Sequence, residues 1–255
     1  MRKTKVWKIG FAVLVVVAAY AGNQSLRLHQ LRRAHDGLER IAAHFPRDYA
    51  LGPADGRPLT YAVLGDSTAV GVGADTATAT CPYAVAKALA ARGFRVHTVV
   101  LAKSGARAAD VLAYQLPELK SLHPNLISLT VGANDATHHT PADSYRLAIR
   151  ELADDLLEYH APVLVANTPD TSEVPALPWP ANAWSGSYAA RQNADNHKLF
   201  IGPRWKRVDL YGRGRLAPLI NPKYYASDEF HPSDVGYAVW SGLFVEALPG
   251  WKTRR

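Results

Sequence analysis

The sequence has very little cysteine, and this scarcity excludes two kinds of structure. Cys81 is the only cysteine among 255 residues, so the chain cannot form an intramolecular disulfide or hold a metal in a thiolate cluster. The residues around it, 79–91, are rich in alanine and have a helical pattern. A lone cysteine in such a setting is typical of a small core residue, not of a nucleophile.

Internal blocks of charge are also lacking. The formal net charge is +7, but much of the excess lies at the two ends of the chain. The terminal basic residues are Arg2, Lys3, Lys5, Lys8, Lys252, Arg254 and Arg255. No internal basic block alternates with aromatic residues that stack on bases, so we expect a solvated basic surface and no nucleic-acid partner. With no internal repeat and 48% hydrophobic residues, the chain is expected to form one domain with a substantial core.

The one long apolar run lies near the N-terminus, where residues 9–21 have only apolar or small side chains. Basic residues precede this run, and no acidic residue follows it until Asp36. Its length matches the apolar core of a signal peptide, and Ala19-Tyr20-Ala21 resembles a cleavage site. A bilayer span needs about 20 residues, which the run reaches only if residues 22–26 contribute at the interface. Residues 1–24 are therefore expected to be a signal peptide or a membrane anchor, and either places the folded part outside the cytoplasm.

A second helical pattern follows the apolar run. Residues 26–45 carry apolar side chains between many charges, which is typical of an amphipathic helix. The pattern fits a stalk and fits equally a helix that packs on the domain. Residues 46–58, rich in glycine, proline and aspartate, break the pattern. We therefore assign residues 25–54 to a helix and linker, and residues 55–255 to the main domain.

Short apolar runs then alternate with longer helical patterns. The predicted strands are Tyr61–Leu64, Val96–Leu101, Leu126–Val131, Val163–Ala166 and Arg207–Leu210. The predicted helices are Pro82–Arg92, Ala108–Leu116, Ala142–Tyr159, Tyr188–Phe200 and Ser233–Leu248. This alternation predicts an α/β fold, with a parallel sheet between two layers of helices. One long irregular stretch, residues 168–186, is interpreted either as a wall or flap of the substrate site or as a plain surface loop.

Four polar clusters stand where predicted strands end or the last helix begins. They are Gly65-Asp66-Ser67, Ser104-Gly105, Gly132-Ala133-Asn134-Asp135 and Asp228-Glu229-Phe230-His231. Ligands of parallel sheets bind beyond the carboxyl ends of the strands. The clusters at the strand ends are therefore expected to contribute to one site.

These clusters contain the side chains that acyl transfer requires. A serine hydroxyl needs a neighbouring base, usually histidine, so Ser67 and His231 fit the nucleophile and the general base. Asp228, three residues before His231, can hold the imidazole in one tautomer. The backbone N–H groups of Ser67 and Gly105 and the side-chain amide of Asn134 are the candidate oxyanion donors.

Other polar residues near these clusters have less direct roles in this interpretation. Asp66 and Asp135 are expected to fix the loops through backbone hydrogen bonds. The neighbours His138 and His139 point in different directions and lack nearby ligands, so no metal site is expected.

In order and spacing, the clusters resemble those of the SGNH/GDSL hydrolases over most of residues 59–248. The matching blocks are Leu64-Gly65-Asp66-Ser67, Ser104-Gly105, Gly132-Ala133-Asn134-Asp135 and Asp228-Glu229-Phe230-His231-Pro232-Ser233. The resemblance implies a flavodoxin-like three-layer α/β/α sandwich with a central, mostly parallel five-stranded sheet. It also implies hydrolysis of esters or thioesters, no metal or organic cofactor, a shallow adaptable site and the residue roles assigned above.

The sequence departs from this family pattern at one point. Many members carry an asparagine near the end of the second strand, where this chain has Val99-Val100-Leu101-Ala102. The donor glycine is still present, so the departure concerns loop shape more than catalysis. Ser67 also lacks the Gly-x-Ser-x-Gly setting of the α/β-hydrolases, which argues against that fold.

The sequence thus predicts an exported or membrane-anchored serine esterase that works through an acyl-enzyme. Its substrate would be a small-molecule, lipid or glycan ester. The expected membrane-proximal position and the tryptophans in residues 168–186 favour lipidic or acylated envelope substrates. Two alternatives stay open: an acyltransferase that uses the same serine, and a non-catalytic envelope binding module that kept the fold.

Overall fold

The computed structural model describes residues 2–217 and 219–251, with side chains from residue 22 onward. Its helices are α1 (Arg2–Ala42), α2 (Ser67–Val70), α3 (Cys81–Ala90), α4 (Ala108–Asp110), α5 (Leu116–Leu119), α6 (Ala133–Thr137), α7 (Ala142–Leu157), α8 (Ala181–Leu199) and α9 (Asp234–Glu246). Its strands are β1 (Asp48–Leu51), β2 (Arg57–Gly65), β3 (Phe94–Val100), β4 (Leu126–Thr130), β5 (Val163–Ala166) and β6 (Trp205–Val208). A π-helical turn, Val111–Gln115, joins α4 to α5.

The strands form one sheet in the order β1-β3-β2-β4-β5-β6. Strands β3, β2, β4, β5 and β6 are parallel, which is the flavodoxin-like order, and β1 pairs antiparallel with β3. The predicted α/β architecture is confirmed, with six strands instead of five. The additional strand, β1, lies in the segment interpreted as a linker. It is short and half exposed at the sheet edge, so it has no continuous apolar run to mark it.

Alternate residues of the strands point to opposite faces of the sheet, as the strand geometry requires. Tyr61 and Val63 of β2 belong to one apolar cluster, which α3 and α9 cover. Ala62 and Leu64 belong to a second cluster on the other face, which α7 covers. Both faces of the sheet are therefore buried, as expected for parallel strands between helical layers.

The lone cysteine lies in the first of these clusters. Cys81 is buried beside α9, where the Ser241 hydroxyl lies 3.6 Å from its sulfur. Burial raises the pKa of the Cys81 thiol to about 12. Because a thiol with so high a pKa is not ionised near neutral pH, the predicted role as a small core residue is confirmed.

Two predicted boundaries differ from the structure. Helix α8 begins at Ala181, so the irregular stretch predicted over residues 168–186 ends earlier. Strand β6 covers Trp205–Val208 instead of Arg207–Leu210. Trp205 packs against Phe200 at 4.7 Å between ring centroids. This aromatic contact buries the first residue of the strand, although the two residues that follow it, Lys206 and Arg207, are charged.

Helix α1 packs on the domain at its C-terminal end. Leu38 and Ala42 are buried in the first apolar cluster, so of the two possibilities for residues 26–45 the packed helix is correct. The same helix runs through the predicted boundary between residues 24 and 25. The side chains of the predicted targeting segment, residues 9–21, lie outside those described. Among residues 22–217 and 219–251, whose side chains the structure describes, no helix combines the length and apolarity needed to cross a membrane.

Candidate active site

The turn after β2 brings Ser67 to the carboxyl end of the sheet. Gly65 has a φ of +143°, and a Cβ at this position would lie 2.2 Å from the carbonyl oxygen of Thr130, so only glycine fits. Gln115, buried in the π-helical turn, accepts from the Gly65 N–H and donates to the Gly65 carbonyl, both at 2.8 Å. Asp66 then caps α2, whose first residue is Ser67. The position of the serine is therefore fixed by buried backbone contacts.

Ser67, His231 and Asp228 form a continuous hydrogen-bonded chain. The Ser67 Oγ lies 2.8 Å from His231 Nε2, and His231 Nδ1 lies 2.6 Å from Asp228 Oδ2. All three side chains are buried. An ionised carboxylate only accepts hydrogen bonds, so His231 carries its proton on Nδ1 and presents the lone pair of Nε2 to the serine hydroxyl.

The Asp228 carboxylate is held in its ionised form. Burial alone would raise the pKa of this carboxyl group, but the hydrogen bond and the charge of His231 and two backbone N–H groups hold it well below its ordinary value. The backbone donors are those of Phe230 and His231, each 3.0 Å from Oδ1. Asp228 is therefore a fixed anion against the imidazole.

The three candidate oxyanion donors lie around the same space as the serine and histidine. The Ser67 N–H belongs to the first turn of α2, where amide groups have no partner within the helix. Gly105 has a φ of +77° on an exposed loop. One N–H of the buried Asn134 amide donates to the Ala106 carbonyl at 3.1 Å, which leaves the second N–H of the amide available.

The two supporting aspartates act on loop structure. Asp66 Oδ1 accepts from the Thr68 N–H at 2.9 Å and from the Thr68 hydroxyl at 2.7 Å. Asp135 Oδ2 accepts from the Ala108 N–H at 3.0 Å, where α4 begins. Burial raises the pKa of both carboxyl groups, and these hydrogen bonds only partly oppose it.

A groove of about 600 Å³ opens over these residues. Its apolar side chains are Leu28, Leu31, Leu177 and Phe230, and its polar ones include Arg32, Asp36, Ser104, Thr137 and His138. Ala176 and Leu177 come from the irregular stretch interpreted either as a wall or flap of the site or as a plain surface loop, and this part of it lines the groove. Helix α1 forms another wall, which the sequence analysis did not anticipate.

Helix α1 contacts the candidate catalytic groups through His35. Its Nδ1 lies 3.3 Å from Asp228 Oδ2, and its ring stacks on that of His231 at 5.4 Å between centroids and 16° between planes. Sequence reasoning missed this residue because it is separated from Asp228 by 193 positions. The amphipathic pattern of the helix was the only local signal.

His35, Asp228 and His231 are also the one candidate metal site in the described part of the chain. One ligand atom from each lies within 4.8 Å of the others. These residue types suit a divalent transition metal. Asp228 and His231 already share a 2.6 Å hydrogen bond. Their closeness is therefore explained by that bond and does not require a metal ion.

The family model described as the GDSL-like lipase/acylhydrolase family matches residues 63–239. This range covers more than half of the chain and contains Ser67, Gly105, Asn134, Asp228 and His231. The chain therefore belongs to the GDSL-like lipase/acylhydrolase family, which makes it an SGNH-type esterase. The resemblance noted in the sequence is thus confirmed.

Solved structures of low sequence identity share the fold. TesA has a TM-score of 0.55 and 21% identity over 74% of this chain and 97% of its own. Axe2, an acetylxylan esterase from Geobacillus stearothermophilus, has a TM-score of 0.56 and 18% identity over 78% of this chain and 99% of its own. A comparison with curated protein sequences gave no significant match.

Proposed function

We propose that this esterase cleaves carboxylic esters through a Ser67–His231–Asp228 triad and an acyl-enzyme intermediate. The observation that carries the proposal is the hydrogen-bonded chain from the serine hydroxyl to the buried carboxylate, with distances of 2.8 and 2.6 Å. Family membership supports ester hydrolysis as the reaction. The geometry supports the role of each residue in it.

In the first half-reaction, Ser67 Oγ attacks the ester carbonyl carbon while its proton moves to His231 Nε2. The tetrahedral intermediate collapses as the bond from the carbonyl carbon to the alcohol oxygen breaks. His231 gives its proton to that oxygen, and the alcohol leaves. Asp228 stays ionised throughout and stabilises the imidazolium that forms between the two proton transfers.

In the second half-reaction, water replaces the alcohol. His231 Nε2 takes a proton from the water as its oxygen attacks the acyl carbon, and the bond from that carbon to Ser67 Oγ breaks. The proton returns to Oγ, which restores the free serine and releases the carboxylic acid. In both halves the N–H groups of Ser67, Gly105 and Asn134 would stabilise the negative carbonyl oxygen.

The lining of the groove favours esters with an apolar acyl part. Leu28, Leu31, Leu177 and Phe230 line it beside Ser67, and burial of each methylene of an acyl chain against such side chains contributes about 0.8 kcal/mol. We therefore propose lipids or other acylated envelope components as substrates.

Covalent labelling by a fluorophosphonate tests the proposed function directly. The folded full-length protein should gain one adduct, mapped by peptide mass to Ser67, because only an activated serine attacks the phosphorus at an appreciable rate. Heat-denatured protein serves as the matched control and should gain none. A folded protein without an adduct would contradict the triad and favour the alternative of a binding module.

We also propose that the protein is extracytoplasmic, either secreted or anchored in the membrane through residues 9–21. The basic residues before this apolar run and the length of the run support export. Fusion of residues 1–45 to a phosphatase that folds only outside the cytoplasm should give active phosphatase. A matched fusion carrying Leu14→Arg and Val16→Arg should give none. An inactive fusion of the native segment would rule out export.

A further inference from the structure

Helix α1 is fixed on the domain on both sides of the groove. Near the N-terminal side, Arg27 Nη2 donates to Glu229 Oε2 at 2.5 Å and to the Pro175 carbonyl at 3.1 Å. At the other end, Leu38 and Ala42 are buried in the first apolar cluster. The residues between these contacts are therefore held at a defined distance from Ser67 and His231.

Between these two contacts, His35 meets the carboxylate of the proposed triad. Its Nδ1 faces Asp228 Oδ2 at 3.3 Å, the same oxygen that accepts from His231 Nδ1. Since the carboxylate only accepts, His35 carries a proton on Nδ1. Oδ1 is occupied by two backbone N–H groups, so Asp228 has four donors in all. A carboxylate with both oxygens bonded in this way cannot rotate away from His231.

One turn further along α1, Glu39 meets the loop that carries an oxyanion donor. The Ser104 hydroxyl donates to Glu39 Oε1, and Ser104 directly precedes Gly105. A Cβ built at Gly105 meets no heavy atom within 4 Å, so the space beside this glycine is open. On its two sides the loop is held by the backbone N–H groups of Lys103 and Ala106. The two α1 side chains are themselves neighbours, with 3.7 Å between His35 Nε2 and Glu39 Oε1.

We propose that His35 and Glu39 are positioning residues, through which helix α1 holds the Asp228 carboxylate and the Ser104–Gly105 loop in their reactive arrangement. This inference rests on the proposed function, because both groups matter only if the triad and the oxyanion hole operate. The contacts that carry the proposal are those of His35 to Asp228 and of Glu39 to Ser104, so each side chain would act through another residue. Their effect is therefore expected in the rate of the chemical step and not in substrate binding.

The test measures kcat and KM for p-nitrophenyl acetate with the full-length chain and a set of variants. His35→Ala should lower kcat about tenfold, because a hydrogen bond to a charged group is lost, with little change in KM. His35→Asn should restore most of the rate, since the asparagine amide offers an N–H near the position of Nδ1. His29→Ala, an exposed histidine of the same helix, is the matched control and should behave as the wild type.

The second contact is tested in the same way. Glu39→Ala and Ser104→Ala should each lower kcat about fivefold. The double variant should lose little more than Glu39→Ala alone, because both changes break the same bond and Glu39→Ala also removes the neighbour of His35. This pair keeps the inference testable if His35→Ala does not fold, as its melting temperature will show.

The outcomes separate this inference from the proposed function. Wild-type kcat in His35→Ala and Glu39→Ala, or an equal loss in His35→Ala and His35→Asn, would overturn the positioning role while leaving the triad in place. If the wild type itself shows no hydrolysis that depends on Ser67, the proposed function fails first. A loss confined to kcat and restored by asparagine supports the role.

Discussion

Replacement of Ser67 by alanine is expected to lower kcat/KM for p-nitrophenyl esters by about 10⁴-fold or more. The variant keeps the groove and the oxyanion donors, but it has no hydroxyl to form the acyl-enzyme. The fold should be unchanged, since the backbone of residues 65–67 is fixed by Gln115 and by the Asp66 cap. Steady-state hydrolysis of an ester series from acetyl to palmitoyl measures the effect.

The matched control for this serine is Ser121→Ala. Ser121 is exposed and donates only to the Glu118 carbonyl, at 3.1 Å, so its loss should leave the rate unchanged. More than a tenth of the wild-type activity in Ser67→Ala would mean that another group is the nucleophile. The acyl-chain length that the wild-type enzyme prefers is a separate test of the proposed lipidic substrate.

Asp228→Asn is expected to lower kcat by about 10³- to 10⁴-fold with little change in KM. The asparagine oxygen can still accept the two backbone N–H groups, so the loop keeps its shape. Its amide nitrogen, however, would face His231 Nδ1 with a donor. The imidazole would then carry its proton on Nε2, where it cannot accept the proton of Ser67. Pre-steady-state measurement of acylation reports this step directly.

The same variant has a defined pH signature in stability. The pKa of Asp228 is lower in the folded chain than the value of about 3.9 for a free aspartate. The ionised group therefore contributes stability above that pH, and the contribution disappears as the pH falls through the folded pKa. The melting temperatures of wild type and Asp228→Asn should differ most at neutral pH and converge in acid. Asp154 is exposed on α7, and Asp154→Asn serves as the matched control. Its kcat and its melting temperature should equal those of the wild type at every pH.

The proposed catalytic groups could be predicted from sequence because each belongs to a short contiguous motif, either at a strand end or just before the last helix. The turn at Gly65 needs a glycine, and Asp228 and His231 are close along the chain, so local spacing carries the information. The α/β alternation was readable for the same reason. The central parallel strands β2, β4 and β5 each have their own apolar run, which burial on both faces requires.

The contacts that the sequence analysis missed are long-range and made by ordinary residue types. Gln115 reaches Gly65 across 50 positions and Glu39 reaches Ser104 across 65. The sequence around Gln115 and His35 gives no signal of their contacts. Their partners depend on how α1 and the π-helical turn pack on the domain. The pattern of residues 26–45 indicated a helix, but not the surface on which that helix lies.

The continuity of helix α1 sets a length scale for the enzyme. His35 lies fourteen positions after Ala21, the end of the apolar run, and an α-helix rises about 1.5 Å per residue. If the run is retained as an anchor, His35 in the wall of the groove would therefore lie no more than about 20 Å from the bilayer surface. Leu28 and Leu31 precede His35 on this helix and would then lie between it and the membrane. An acyl chain that leaves the bilayer would thus meet these leucines before its ester group reaches the serine.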